Sequence, residues 1–560
     1  MTPFDPGTTP ENRKTTNVRR TLPSLSVALL STVLLAACGG GGGEDTANLT
    51  PQQGGTLVYA TGDDEPACLD PQTRGNVPQA LLGSQFLESL FYQDEKGEIQ
   101  PWLASAWKVS EDGKAWTVDV RQDVKFSDGT PLNAEAVKVN IDRVLNPDTQ
   151  STTGRLALSK VDKVEVTGEY TAVIHLLQPD GALLESLSQV WLPIESPTAL
   201  KRSNEENCLS PVGTGPFKIE SWTKQDNVTL ARNDSYSTPP PGASHTGPAY
   251  LDKIVWRFVP DGTTRFAALQ SGQVNVVDVL EPQNAVAAKN IPTLGTLIAS
   301  RPGEPVEIKL NTGRAPFDDA KVREAFFSAV DVAGALKSVY LGTVEQAKSP
   351  LSSATRYRAD TVKQAYDPDA ANQLLDEAGW TAKDADGIRS KDGKALTVVL
   401  PYAATIPLEP GFYEQVQATA KKVGFDVKLQ PLETAKWWVA NNDWEYDALP
   451  IYYTKNSADV LRITSLSSAN TATTVGGYHS GNTALKSPEL DALLEKAGES
   501  TDDTERADLY KQAQELLSNG YYVLPVYDQQ TRLGYETKVK GLRLLPSLSM
   551  PTFYDAWIND

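Results

Sequence analysis

The residues of this chain that could break bonds are few and scattered. Its three histidines, His175, His245 and His479, stand far apart, and its three cysteines, Cys38, Cys68 and Cys208, form no CxxC pair. A zinc site needs ligands at short, fixed spacings, and neither CxxC nor HxxxH is present. No GxSxG elbow, P-loop, GxGxxG turn or HExxH helix occurs, so the usual means of activating a nucleophile or cradling a phosphate are missing. The 71 Asp and Glu residues could include a glycosidase-like pair, but no spacing singles out two of them. His175 falls in a strand pattern and reads as structural; His245 falls in a proline-rich loop and reads as solvent-exposed. What is concentrated is aromatic surface. The stretch AKWWVANNDWEYDALPIYYTKNSAD carries Trp437, Trp438, Trp444, Tyr452 and Tyr453, and aromatics offer flat apolar walls with polar tips.

Cys38 follows Leu35-Ala36-Ala37 and precedes a run of five glycines. Upstream lie the basic residues Arg13, Lys14, Arg19 and Arg20 and the apolar run Leu22–Ala37, which is short for a bilayer span and has the layout of a signal peptide. LAAC resembles the lipobox of bacterial lipoproteins. That resemblance implies removal of residues 1–37, lipidation of Cys38 and anchoring on the outer face of the cell membrane. Residues 38–55 are Gly-rich and polar, a flexible tether. Arg19-Arg20 leaves Sec and twin-arginine export both open.

The body of the chain has globular composition, with 40% hydrophobic and 22% charged residues among 560, enough for a large bilobal unit or several domains. Its net charge of −19 argues against nucleic-acid binding through phosphate neutralisation. Strands and helices alternate from Thr56 onward, which predicts an α/β or α+β fold. Period-two runs place Trp116, Val118 and Val120 on one strand face and Ile254, Trp256 and Phe258 on another. Hairpins are expected around Gly168-Glu169 and Asp226-Asn227. Asp367-Pro368 opens a helix closed by Gly379, and Ser487-Pro488 opens one closed by Gly498. Asp128-Gly129 and Asn133 turn a strand into a helix, and the glycines of VGTGPF mark a sharp turn.

Several blocks in sequence carry a wider resemblance: LDP at 69–71, PWLASAWKVSEDGKAWTVDVRQDVKFSDGTPLNAEAVKVNIDRVL at 101–145, PVGTGPFKIESW at 211–222, LDKIVWRFVPDGTTRFAALQSGQVNVVD at 251–278 and KLNTGRAPFDDAKVREAFFSAVD at 309–331. With them the chain resembles family 5 of the bacterial extracellular solute-binding proteins, the peptide- and nickel-type receptors of ABC importers. The resemblance implies an α/β, two-lobed periplasmic-binding-protein-like fold of class II, of the large three-subdomain type, with hinge strands and a cleft between the lobes. It puts residues 56–302 and 525–560 in the first lobe, with 80–207 as an extra subdomain, and 303–524 in the second. Hinges fall near Pro302–Pro305 and Leu524-Pro525. It implies a monomer that captures a peptide-like or other small organic solute by hinge closure and docks on a permease and ATPase complex, with no bond chemistry, no cofactor and no metal.

By the same resemblance, Tyr446-Asp447 precedes a pocket strand on which peptide binders carry an acid. That position falls here at Asn456, with Asp459 three residues on. A neutral amide can hydrogen-bond an ammonium but cannot neutralise it. The first loop, TGDDEPACLDP, faces the family's cleft and offers Asp63, Asp64 and Glu65 for a cationic group. The candidate ligand residues are therefore Glu65, Trp437, Trp438, Tyr452, Tyr453, Asn456 and Asp459. The family's fold also brings Cys68 and Cys208 together, and a disulfide is expected in an oxidising compartment. A secreted hydrolase and a non-transporting sensor lipoprotein remain as alternatives.

Overall fold

In TLVYAT the side chains of Leu57 and Tyr59 project to one face and are fully buried; this strand forms the middle of the largest sheet. In chain order, the strands of the two principal sheets are β1 (Thr56–Thr61), β2 (Phe217–Thr223), β3 (Asn227–Arg232), β4 (Lys253–Phe258), β5 (Val276–Val277), β6 (Leu294–Ser300), β7 (Val306–Leu310), β8 (Ala448–Ile451), β9 (Val523–Tyr527) and β10 (Gln530–Glu536). The structure is a computed structural model that describes residues 49–362, 365–471 and 479–559. The expected signal segment, Cys38 and tether residues 38–48 lie outside the described residues.

The large sheet has the order β2-β3-β4-β1-β5-β10-β6. β1 runs parallel to β4 and β5, and β10 runs antiparallel to β5 and β6. The second sheet, β8-β7-β9, is antiparallel throughout. The chain passes between the sheets twice, at residues 301–305 and again at Asp528-Gln529, and the result is a two-lobed α/β protein. Under the large sheet, Tyr59 packs against Trp256 with ring centroids 4.1 Å apart and against Phe553. A separate core holds Ile308, Phe326, Tyr413 and Trp437. A third lies beneath a four-stranded sheet built from Ala104–Val109, Ala115–Val120, Val161–Gly168 and Thr171–Leu176.

Local signals act where the residue types require. Trp116, Val118 and Val120 are buried together, as are Ile254 and Trp256. The Asp367 carboxylate accepts from the N–H groups of Asp369 and Ala370, capping the helix Pro368–Glu377, and Ser487 caps Pro488–Glu499. Both hairpins form, with turns at residues 169–170 and 224–226.

Other signals have a different physical origin from the one expected. Gly498 does not end its helix, which continues through Glu499. Its carbonyl accepts from Gly181 N and Lys160 Nζ, and a Cβ would lie 3.1 Å from the Arg462 side chain. Gly213 and Gly215 likewise serve close approach, since a Cβ would sit 2.3 Å from Phe86 O at the first and 2.6 Å from Phe86 C at the second. His245 is not solvent-exposed. It stacks between Tyr250 and Tyr554, with Nδ1 3.0 Å from Asp555 Oδ1.

Cys68 and Cys208 are bonded, with Cα atoms 4.6 Å apart, and Leu69 N donates to Cys208 O alongside. The bond closes a sequence separation of 140 residues. In the chain-entropy view, a loop of that length restricts the unfolded chain by about 5 kcal/mol. Non-reduced, denatured protein residues 51–560 should therefore show no free thiol, and Cys68→Ser with Cys208→Ser should lower the urea midpoint. Two titratable thiols would overturn the assignment.

Candidate functional site

A cavity of about 270 Å³ opens between two walls that belong to different cores. One wall is built at the start of the helix Val77–Gly83. Asn76 caps that helix, its side chain accepting from Gln79 N while the Gln79 side chain accepts from Asn76 N. Gly75 has φ of +74°, and a Cβ there would lie 3.2 Å from both Pro71 O and Trp191 Cδ1; glycine is required. Trp191 Nε1 donates to Asn76 O at 3.2 Å, so the indole is fixed against this turn, and Thr153 completes the wall.

The facing wall comes from the helix Thr434–Asn442 and the strand end at Ile451–Thr454, with Thr405, Ile406, His479 and Ser480 beside them. Trp437 and Trp438 meet edge to face at 4.9 Å. Trp437 is 1% exposed and Trp438 37%, so the first seats the helix on the core and the second stands into the opening. Among the described residues, the buried Nε1 of Trp437 has no acceptor and the buried Nδ1 of His479 has no hydrogen-bond partner. Burial pushes the Tyr452 phenol above its ordinary value; Arg301 counteracts this and Asp63 adds to it. Among the described residues no Asp, Glu, Lys or Arg lines the cavity. Such walls suit a flat or apolar group with few hydrogen-bonding atoms.

Of the residues singled out from the sequence, Trp437, Trp438, Tyr452 and Tyr453 stand in this cavity. Glu65, Asn456 and Asp459 do not, and each has protein partners. Glu65 accepts from Trp222 Nε1 at 2.6 Å and from Gln225 N, tying the first loop to the β2–β3 hairpin. Asn456 is 2% exposed. Its Oδ1 accepts from Gln189 Nε2 at 2.6 Å, and its Nδ2 donates to Glu185 O and Ser188 Oγ at 2.8 and 2.9 Å. The amide is needed here because both a donor and an acceptor are used. Burial pushes the Asp459 carboxyl up, yet the Arg462 guanidinium, 2.7 Å away, holds it below the usual carboxylate range. Tyr446 and Asp447 are also structural, through Asn482 O and through Arg314 and Val399 N. Asn76, Thr153, Trp191 and His479 escaped the sequence reading, since single residues scattered over short turns and the start of the short helix Thr153–Ala157 carry no periodicity that marks a wall.

Asn456 belongs to a clasp joining residues 180–189 to residues 455–506. Arg506 Nη1 pairs with Glu185 Oε1 at 2.9 Å, both side chains buried, and the Ser457 hydroxyl donates to the same carboxylate. Gly181 N donates to Gly498 O.

The comparisons decide the family. The model for bacterial extracellular solute-binding proteins, family 5 (middle region), matches residues 98–474, well over half the chain. The chain belongs to this family. Among its family 5 relatives, the glutathione-binding protein GsiB of Salmonella paratyphi A is 28% identical over 504 residues, covering 89% of this chain and 94% of that one. NikA from Brucella suis, solved with Fe(III)-EDTA, superposes with a TM-score of 0.78 at 27% identity, covering 90% of this chain and all of its own. DppA from Helicobacter pylori, an ABC transporter-associated periplasmic binding protein solved with the peptide STSA, superposes at 0.74 and 23% identity, over 91% of this chain and 99% of its own.

The clasp generates a prediction. Arg506→Ala leaves the Glu185 carboxylate buried and unpaired, a cost of about 3–5 kcal/mol. Asn456→Asp turns an oxygen toward Glu185 O and should cost about 1–3 kcal/mol. Hydrogen exchange at residues 181–189 and 455–460 should accelerate in both variants, whereas unchanged exchange would show the clasp to be energetically idle.

Proposed function

We propose that this family 5 protein is the extracytoplasmic solute receptor of an ABC importer, capturing a small organic or peptide-like solute by hinge closure and delivering it to a permease and ATPase complex. One observation carries the reading: the cavity is walled by aromatics from two separate cores, so a ligand in it touches both at once. Such a ligand binds the closed arrangement better than the open one and shifts the population toward it. The moving bodies are residues 56–302 with 525–560 and residues 303–524, with 80–207 as the extra subdomain. Trp437, Trp438, Tyr452 and Tyr453 form the ligand wall. Binding without turnover is inferred from relatives that are named for what they bind.

Cys38 carries the lipid and residues 38–55 the tether. Among the described residues no helix is long and apolar enough to cross a membrane. Two or more acyl chains give stable anchoring where one is marginal, so the lipid holds the receptor, a monomer, at the membrane's outer face.

The test is a thermal-shift screen of residues 51–560 against peptides, sugars, opines and metal chelates. A ligand at a hundredfold its Kd adds about 2.7 kcal/mol, a rise of about 2–3 °C for a body of this size. Trp438→Ala should lower affinity at least tenfold while leaving the ligand-free melting temperature within about 1 °C. A library in which no class shifts the protein, or a ligand consumed by it, would overturn the reading.

A further inference from the structure

The two walls of the cavity are tied to each other a short way along the chain from where they face it. Trp191, in the first wall, follows Gln189 by two residues, and Thr454, in the facing wall, precedes Asn456 by two. Two residues of chain reach at most about 7 Å, so a bond between Gln189 and Asn456 acts close to both walls. Every hydrogen-bonding group of the buried Asn456 amide crosses to the side that carries Trp191. Its Oδ1 accepts from Gln189 Nε2 at 2.6 Å, and its Nδ2 donates to Glu185 O at 2.8 Å and to Ser188 Oγ at 2.9 Å. The backbone crosses as well, since Asn456 O accepts from Gln93 Nε2 at 2.9 Å.

The surfaces on either side of this tie meet through polar groups. In the short helix Leu183–Leu187, Leu183, Leu184 and Leu187 belong to the core beneath the four-stranded sheet. Opposite them, Val460, Leu461 and Tyr510 belong to another core. Between the two, Glu185 Oε1 accepts from Arg506 Nη1 at 2.9 Å, and Oε2 accepts from Arg506 Nη2 at 3.2 Å and from the Ser457 hydroxyl. Arg506 is rooted in its own side, its guanidinium 5.2 Å from the ring centre of Tyr357 and 5.9 Å from that of Tyr510. The backbones touch too: Gly181 N donates to Gly498 O at 3.0 Å, and a Cβ on Gly181 would overlap Ser500 O. An interface that joins separate apolar cores through hydrogen bonds and an ion pair can part and take up water without exposing either core, which packing within one core cannot do.

We propose that Asn456 and the Glu185–Arg506 pair form a latch that sets the spacing of the two cavity walls. Asn456 is a positioning residue. It lines no part of the cavity and acts through Gln189 on Trp191 and along its own chain on Tyr452, Tyr453 and Thr454. The width of the cavity is thereby preset by bonds within the protein, and a solute that touches both walls is selected for fitting that width. Binding then does not have to order the walls, which preserves affinity. With the latch broken, the walls take a wider range of spacings and a solute spanning them loses contact on one side. The consequence for affinity rests on the receptor reading above; the spacing itself does not.

The experiment measures the spacing directly. In residues 51–560 the two cysteines are engaged in the Cys68–Cys208 bond, so cysteines introduced together at Val166 and Lys511, both exposed, accept spin labels selectively. The first label rides on the four-stranded sheet and the second on the helix Asp503–Asn519 that carries Arg506. Pulsed electron spin resonance should give one narrow distance distribution for the intact latch and an additional, longer component in Asn456→Leu and in Glu185→Gln, with melting temperatures reporting that both fold. Leu230→Ala, in the core under the large sheet, is the control: it should lower the melting temperature without moving the distribution, which separates loss of the latch from loss of stability.

The same variants are titrated with N-phenyl-1-naphthylamine, a neutral flat dye matched to the uncharged aromatic walls. Its Kd should rise about tenfold or more in both latch variants and stay within about twofold in Leu230→Ala, a distant site. Unchanged distances in both latch variants overturn the latch, whatever the dye shows. A longer component with unchanged dye affinity overturns its action on the cavity. If the dye does not bind the parent protein, the compound found in the thermal-shift screen takes its place in the same comparison. If no compound of any class is found, the receptor reading fails, and the distance distributions still decide whether the latch exists.

Discussion

Everything at the cleft depends on two chain crossings being bonded to each other. The links from β6 to β7 and from β9 to β10 lie side by side, with Arg301 N donating to Gln529 O at 2.7 Å and Gln529 Nε2 donating to Glu304 O at 2.6 Å. A third segment joins them, because Gly303 bridges to Thr454. Gly303 has φ of +109°, and a Cβ would fall 2.3 Å from Tyr453 O, so no other residue permits the approach. One glycine thus sets where Tyr452 and Tyr453 stand. The geometry of the aromatic wall follows from a backbone constraint at the hinge as much as from the packing of the wall itself.

The same junction carries the least expected charges in the molecule. In VEIKL, alternation would send Val306, Ile308 and Leu310 inward and leave Glu307 and Lys309 outside. The three apolar residues are buried as alternation requires, but Glu307 is 0% and Lys309 1% exposed, so the other face of β7 is covered as well. Lys309 Nζ lies 3.1 Å from Glu304 and 3.2 Å from Glu307. Burial opposes the ammonium, yet the two carboxylates hold Lys309 above its ordinary value. Burial and the neighbouring Glu304 push the Glu307 carboxyl well up. Glu304, Glu307 and Lys309 thus form a buried charged triad. Such a set contributes little net stability, but removing one member would strand a buried charge, so it fixes how the second sheet meets the crossing.

Legibility from the sequence follows the range of each interaction. Strand faces and helix caps depend on residues within a few positions, and Trp116, Trp256, Asp367 and Ser487 were readable for that reason. The aromatic wall was readable because four of its residues are neighbours in the chain. What stayed hidden depends on partners far away: Glu65 on Trp222, Asn456 on Gln189, Gly498 on Gly181. In each case the residue type was noticed and its partner could not be. Asn456 shows this dependence. Its amide looked like a ligand group that had lost its charge, whereas it is a polar core residue that needs a donor and an acceptor at once. The burial of Glu307 and Lys309 was invisible for the same reason, since alternation reports one covered face and cannot announce a second.

The clasp bears on how a closed state is reached. Asn456, Ser457 and Arg506 bond to Gln189, Ser188 and Glu185. The clasp therefore joins residues 180–189 to residues 455–506 through protein-to-protein contacts. A ligand must supply about 5.5 kcal/mol of differential affinity to carry an equilibrium from 1:99 to 99:1. Whatever the clasp contributes in the closed arrangement lowers that requirement one for one. Among the described residues, Trp437 Nε1 and His479 Nδ1 stand in the wall without hydrogen-bond partners, and they are where the remainder must be found. Selectivity belongs to these orphans, because a ligand that leaves a buried donor or charge unsatisfied forfeits more than it gains by filling the cavity. The protein divides the work accordingly: protein-to-protein contacts favour closure, and a few unsatisfied polar groups decide for which solute closure is worthwhile.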